Sequence, residues 1–148
     1  MKDIIIFHKI LFPTDFSKNS FQNIAFAINL AKQNKAELII LYAYRLIKVD
    51  SDDQNEMVDL KTKFETEAKL KFNKWKESIL DSAQINFSFS CDIGFLSDRI
   101  ISNVNKNKID LVVISNKMKP FIEEKVNNSS EISNNIACSV LILPELAH

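Results

Sequence analysis

Apolar positions along this chain follow two different rhythms. Ile10-Leu11-Phe12, Leu38 to Tyr42 within Glu37–Tyr44, Leu111 to Ile114 within Asp110–Ser115, and Val140 to Leu143 within Ser139–Leu143 are continuous apolar runs of strand length. Such runs predict strands of a parallel sheet covered on both faces. The first ends at the turn signal Pro13-Thr14-Asp15. Ile85 to Cys91 instead alternates with period two, which predicts a strand with one wetter face, near an edge, its odd positions facing the core. Between these runs the spacing becomes helical. Phe21, Ile24, Ala25, Ile28 and Ala31 follow a capping Ser17 and leave Lys32 and Gln33 outside. Met57, Leu60, Phe64, Ala68, Phe72, Trp75 and Ile79 mark a helix over residues 55–82, which at seven or so turns is roughly 40 Å long. Leu96, Ile100, Ile101 and Val104 mark a third helix after Gly94, and Ile132 with Ile136 a short fourth between Asn116 and Ala137. Strict alternation of strand and helix predicts an α/β domain in three layers, a parallel sheet between helices joined by right-handed crossovers, with no sign of a second domain.

Composition narrows the chemistry. A chain of 148 residues buries roughly 68–70% of its unfolded surface, so its core needs no staples. Nineteen basic and nineteen acidic side chains cancel, leaving no basic excess to hold nucleic acid or anionic lipid. The apolar stretch Ile4 to Phe7 is bracketed by charges and too short for a secretory core, and no run is long enough to span a bilayer. The expected location is the cytoplasm. Cys91 and Cys138 lie far apart in different predicted elements, which predicts two buried, reduced thiols.

The chain holds one glycine, Gly94, where average usage gives about ten. Walker loops and dinucleotide fingerprints each need at least two, so neither exists here. Left-handed positions at helix ends should then fall to asparagine, at Asn34, Asn107, Asn127 and Asn128. Ser17, Ser20 and Ser129 lack an activating base, since the two histidines are His8 and His148. Asp50, Asp52 and Asp53 lack the ligand spacing of a calcium loop. No catalytic set and no metal site are expected.

In an open α/β sheet, ligands lie beyond the carboxyl ends of the strands where strand order reverses. That places candidate chemistry in Pro13 to Ser17 and in Ser115 to Pro120. Lys9 to Ser17, Ala36 to Ala43, Gly94, Asp110 to Ser115 and Cys138 to Pro144, in this order and spacing, resemble the successive landmarks of the universal stress protein family. The resemblance runs from about Lys9 to Pro144. It implies one domain over residues 1–148, with 1–8 as an amino-terminal extension, and the adenine nucleotide alpha hydrolase-like sheet order 3-2-1-4-5. It also implies a homodimer through the last strand, Val140, Leu141, Ile142 and Leu143, and a stress-response role without a defined reaction. Family members that bind ATP carry Gly-x2-Gly-x9-Gly-Ser/Thr after the fourth strand. That spacing falls on Ser115, Met118, Asn128 and Ser129, or on Val126 and Asn127 for the last pair when counted back from Cys138, and both registers lack glycine.

Glycine there lets backbone amides approach phosphate and permits positive φ; Met118 obstructs that approach and Pro120 removes a donor. The expected function is therefore that of a dimeric, partner-contacting module with no cofactor. The alternative is an ATP- or ADP-binding switch with weak hydrolysis at most. Its pocket would use Asp15, Ala43, Ser115, Lys117, Lys119, Asn128 and Ser129. Asp15, by resemblance the carboxylate that approaches the nucleoside, reads equally as a turn residue bonded to local backbone.

Overall fold

The computed structural model describes residues 6–46, 54–120 and 138–144. Five parallel strands form one sheet in the order β3-β2-β1-β4-β5, as the resemblance implied. They are β1 (Lys9–Pro13), β2 (Glu37–Tyr44), β3 (Asn86–Ile93), β4 (Leu111–Ser115) and β5 (Ser139–Leu143). The helices are α1 (Lys18–Asn34), α2 (Gln54–Trp75) and α3 (Leu96–Asn107). The helix foreseen around Ile132 and Ile136 lies outside the described residues.

Period-two geometry divides the sheet into two cores. Ile10, Phe12, Leu38, Ile40, Leu111 and Val113 point to the side covered by α1 and α2, where they meet Ile24, Ala27, Ile28, Phe72 and Trp75. Leu11, Ile39, Leu41, Val112 and Ile114 point to the opposite side and meet Ile100 and Val104 of α3. Parallel register aligns Leu11 with Ile39 and with Val112, so the central strands present one row of side chains to each layer.

The α1 stripe is shifted from its expected position. Ser20, Asn23, Ile24, Ala27, Ile28, Ala31 and Asn34 are buried, while Phe21 and Ala25 face outward. Polar Asn23 and Asn34 belong to the inward face, which a purely apolar count misses. Ser17 caps α1 as expected, its Oγ accepting the Ser20 amide at 3.2 Å. The long helix is not uniform either. The α-helix ends at Trp75, widens into a π turn over Lys76–Leu80 and tightens into a 3₁₀ turn over Asp81–Ala83.

Left-handed helix ends fall one residue beyond the expected asparagines, on Lys35 (φ 52°) and Lys108 (φ 56°). Asn34 stays helical because its amide is occupied. Its Nδ2 donates to the Leu30 carbonyl, and its Oδ1 accepts the Ile6 and Phe7 amides. Asn107 likewise donates to Asn103 Oδ1. Asn127 and Asn128 lie outside the described residues. On the neighbouring strand Asp110 accepts the His8 and Lys9 amides at 2.8 and 3.1 Å, so the segment entering β1 is pinned from two sides. Phe7 packs against the larger core. Neither cysteine is fully buried; both are half-buried free thiols, because Cys91 lies on edge strand β3 and Cys138 just before edge strand β5.

Candidate functional site

Beyond the carboxyl ends of β1, β2 and β4 the layers part around a cavity of about 690 Å³. This is where strand order reverses, the position at which an open parallel sheet accommodates ligands. Its floor begins with Thr14, whose amide donates to the Leu41 carbonyl at 2.8 Å and holds the β1 exit against β2. The Thr14 hydroxyl lies 2.6 Å from Ser20 Oγ and accepts the Phe16 amide at 2.9 Å. Asp15 Oδ1 accepts the Ser17 amide at 2.9 Å. These bonds hold Phe16 in a left-handed conformation, φ 57°, unusual for a residue with a bulky side chain.

The strained turn directs Phe16 into an aromatic cluster. Its ring centroid is 5.0 Å from that of Trp75, 5.3 Å from Tyr42 and 5.8 Å from Phe89. Asp15, the adjacent residue, is left exposed on the cavity wall. Both readings of this carboxylate therefore hold together: it closes a local turn and it borders the pocket.

Ala43, Lys117 and Met118 also line the cavity. Ser115 acts otherwise: it caps the 3₁₀ turn Asn116–Met118, its Oγ accepting the Met118 amide at 3.2 Å. Met118 is 7% exposed, so its side chain fills space at the end of β4 while its amide is already engaged. Lys119 is exposed and is not among the residues lining the cavity. Asn128 and Ser129 lie outside the described residues.

Tyr42, Arg45, Gly94 and Phe95 complete much of the remaining wall. None was a sequence candidate. Arg45 places its guanidinium carbon 4.0 Å from the centroid of the Phe95 ring, a cation–π contact across two loops. Gly94 has φ 137°, and its amide donates to the Tyr44 carbonyl at 2.8 Å. Glycine after a strand was the one available signal, since it marks a backbone position other residues resist. Burial raises the Tyr42 hydroxyl pKa, with nearby Cys91, Glu67 and Asp15 adding to the effect, so the phenol stays protonated at neutral pH. The wall thus combines one carboxylate, two cations and aromatic surface, without a nucleophile held by a base.

The two thiols are chemically quiet for the same physical reason. Burial pushes Cys91 up to about 11, with the Glu65 and Asp92 carboxylates opposing a third negative charge. Burial and then Asp110 push Cys138 to about 11 as well. Alkylation requires the thiolate. At pH 8 the folded protein should react with iodoacetamide roughly 100-fold more slowly than the urea-unfolded chain, since two pKa units separate the two thiolate populations. The folded rate should climb about tenfold per pH unit to pH 10; equal folded and unfolded rates at pH 8 would contradict this account.

Among the described residues no group of three or more His, Cys, Asp and Glu side chains is placed to hold a metal. No described helix is long and apolar enough to cross a membrane.

Comparison with known proteins follows the same outline. The family model described as the universal stress protein family matches residues 6–144. No curated protein matches the sequence. Among solved structures, the universal stress protein UspA from Lactobacillus plantarum superposes with a TM-score of 0.71 at 19% identity, covering 92% of this chain and 97% of its own. A universal stress protein in complex with cAMP gives a TM-score of 0.64 at 18% identity, covering 95% and 98%. A protein of the same family from Burkholderia pseudomallei gives 0.64 at 15%, covering 92% and 95%. At these identities the structural likeness speaks to fold.

Proposed function

Because this chain belongs to the universal stress protein family, we propose that it is a stress-response module without a catalytic reaction of its own, acting through dimerisation and contact with other proteins. The observation that carries this reading is Met118. A triphosphate tail held in the family's glycine-rich manner needs bare main chain after β4 and free amides. Here a thioether side chain fills the space, and the Met118 amide is bonded to Ser115. The β5 edge supports the dimer: Val140 and Ile142 are each 41% exposed on a strand with no outer neighbour.

A second reading rests on a specific observation, the cavity of about 690 Å³ bordered by Asp15, Ala43 and Lys117. That volume suits an adenine nucleotide, and one structural relative is complexed with cAMP. On this reading the chain is a nucleotide-responsive switch, with weak ATP hydrolysis at most.

Two measurements on the purified protein separate the readings. Acid extraction should release no adenine nucleotide, and calorimetric titration with ATP should show no saturable heat. Nucleotide that co-purifies and is lost from Asp15→Ala would favour the switch. Sedimentation at micromolar concentration should show a dimer that Ile142→Lys converts to monomer; a monomeric parent protein would overturn the interface.

A further inference from the structure

A second cavity, of about 510 Å³, opens between α2, the carboxyl half of β3 and the outer face of α3. Its wall is polar and shares no residue with the first cavity apart from none of the site residues named for it: Lys61 and Glu65 come from α2, Asp92 from β3, and Arg99, Asn103 and Lys106 from α3. The two carboxylates are already committed. Asp92 accepts from Ser90 Oγ at 3.0 Å through Oδ1 and from Asn103 Nδ2 at 3.2 Å through Oδ2. Glu65 Oε2 accepts the Tyr44 hydroxyl at 2.5 Å and lies 4.0 Å from Lys61 Nζ. The cationic side is not balanced in this way. Arg99 Nε is enclosed and has no hydrogen-bond partner, although a buried guanidinium N–H without an acceptor is costly. Lys106 stands seven residues further along the same helix, two turns on and on the same face, and also lines the cavity.

A cavity whose acids are internally satisfied and whose arginine edge is enclosed but unpaired is suited to an acceptor with two oxygens. We propose that this cavity is a second binding site, for a small oxyanion of the phosphate or carboxylate class, held by Arg99 with Lys106. A guanidinium fork matches such a group through two parallel N–H bonds, and lysine adds a point charge. Gly94 makes room for this arrangement. A Cβ there would stand 3.2 Å from Arg99 Nε, so the absence of a side chain lets the arginine pack close to the strand end.

The test is a nuclear magnetic resonance titration of the full-length protein at pH 7.5 and constant ionic strength, with inorganic phosphate in one series and succinate in another. Saturable shifts of the Arg99 Nε–H and of backbone amides in Ser90–Ile93 and Ser102–Asn107 are expected. Saturation by phosphate alone assigns a phosphate ligand, by succinate alone a carboxylate, and by both a general oxyanion site. Arg99→Lys, which keeps the charge and loses the fork, should weaken binding about tenfold. Lys106→Ala should weaken it roughly threefold, and Asp15→Ala, in the first cavity, should leave it unchanged. Linear shifts matched by chloride, or full-strength binding by Arg99→Lys, would overturn the proposal.

Discussion

Trp75→Ala is expected to lower the unfolding free energy by about 3–5 kcal/mol, the usual cost of emptying a large aromatic site in a core. Trp75 is 7% exposed and occupies the last position of α2, between the rings of Phe16 and Phe21 at 5.0 and 5.8 Å. Aromatic pairs of this geometry contribute about 0.5–1.5 kcal/mol each beyond buried area, so the loss belongs at the upper end of the range. Against a typical total of about 5–15 kcal/mol, the variant should remain folded but be visibly weakened. In urea unfolding followed by far-ultraviolet circular dichroism, its midpoint should fall by roughly 2 M, with Trp75→Phe recovering most of the difference. A shift below about 0.5 M would show that the tryptophan does not anchor the Phe16 turn.

Gly94→Ala is expected to cost about 1–3 kcal/mol from its backbone alone, since φ 137° lies where side-chain-bearing residues are strained. The new Cβ would also press on Arg99 Nε at 3.2 Å. The two contributions can be separated. Gly94→Ala combined with Arg99→Ala removes the contact but leaves the backbone strain, so most of the destabilisation should persist relative to Arg99→Ala alone. Full recovery in the double variant would place the cost in the contact and not in φ. Urea midpoints of the four proteins complete the cycle.

Much of this architecture is legible from residue pattern. Leu38 to Leu41 and Leu111 to Ile114 are buried on both faces because neighbours stand on either side of β2 and β4, and a continuous apolar run is what that situation requires. The β3 alternation is legible for the converse reason: an edge strand is only half covered, and Phe87 and Phe89 pack against the core while Ser88 faces away. Helix detail was harder to read. Nothing in Lys76 to Leu80 announces a π turn, and the left-handed ends at Lys35 and Lys108 depend on what Asn34 and Asn107 do with their amides. Asp15, Ala43 and Lys117 were found because they sit at strand ends. Arg45 and Phe95 were not, because their pairing joins segments fifty residues apart and is carried by ring geometry instead of a motif.

The central place of β1 also shapes how the molecule is made. Its first strand is flanked on one side by β2, next in sequence, and on the other by β4, whose Asp110 pins His8 across a separation of 102 residues. During synthesis the β1-α1-β2 unit can settle early, yet one flank of its oldest strand stays bare until most of the polypeptide has left the ribosome. A nascent chain halted before Asp110 therefore presents an open, strongly apolar strand edge, the condition in which chaperone capture competes most directly with correct assembly.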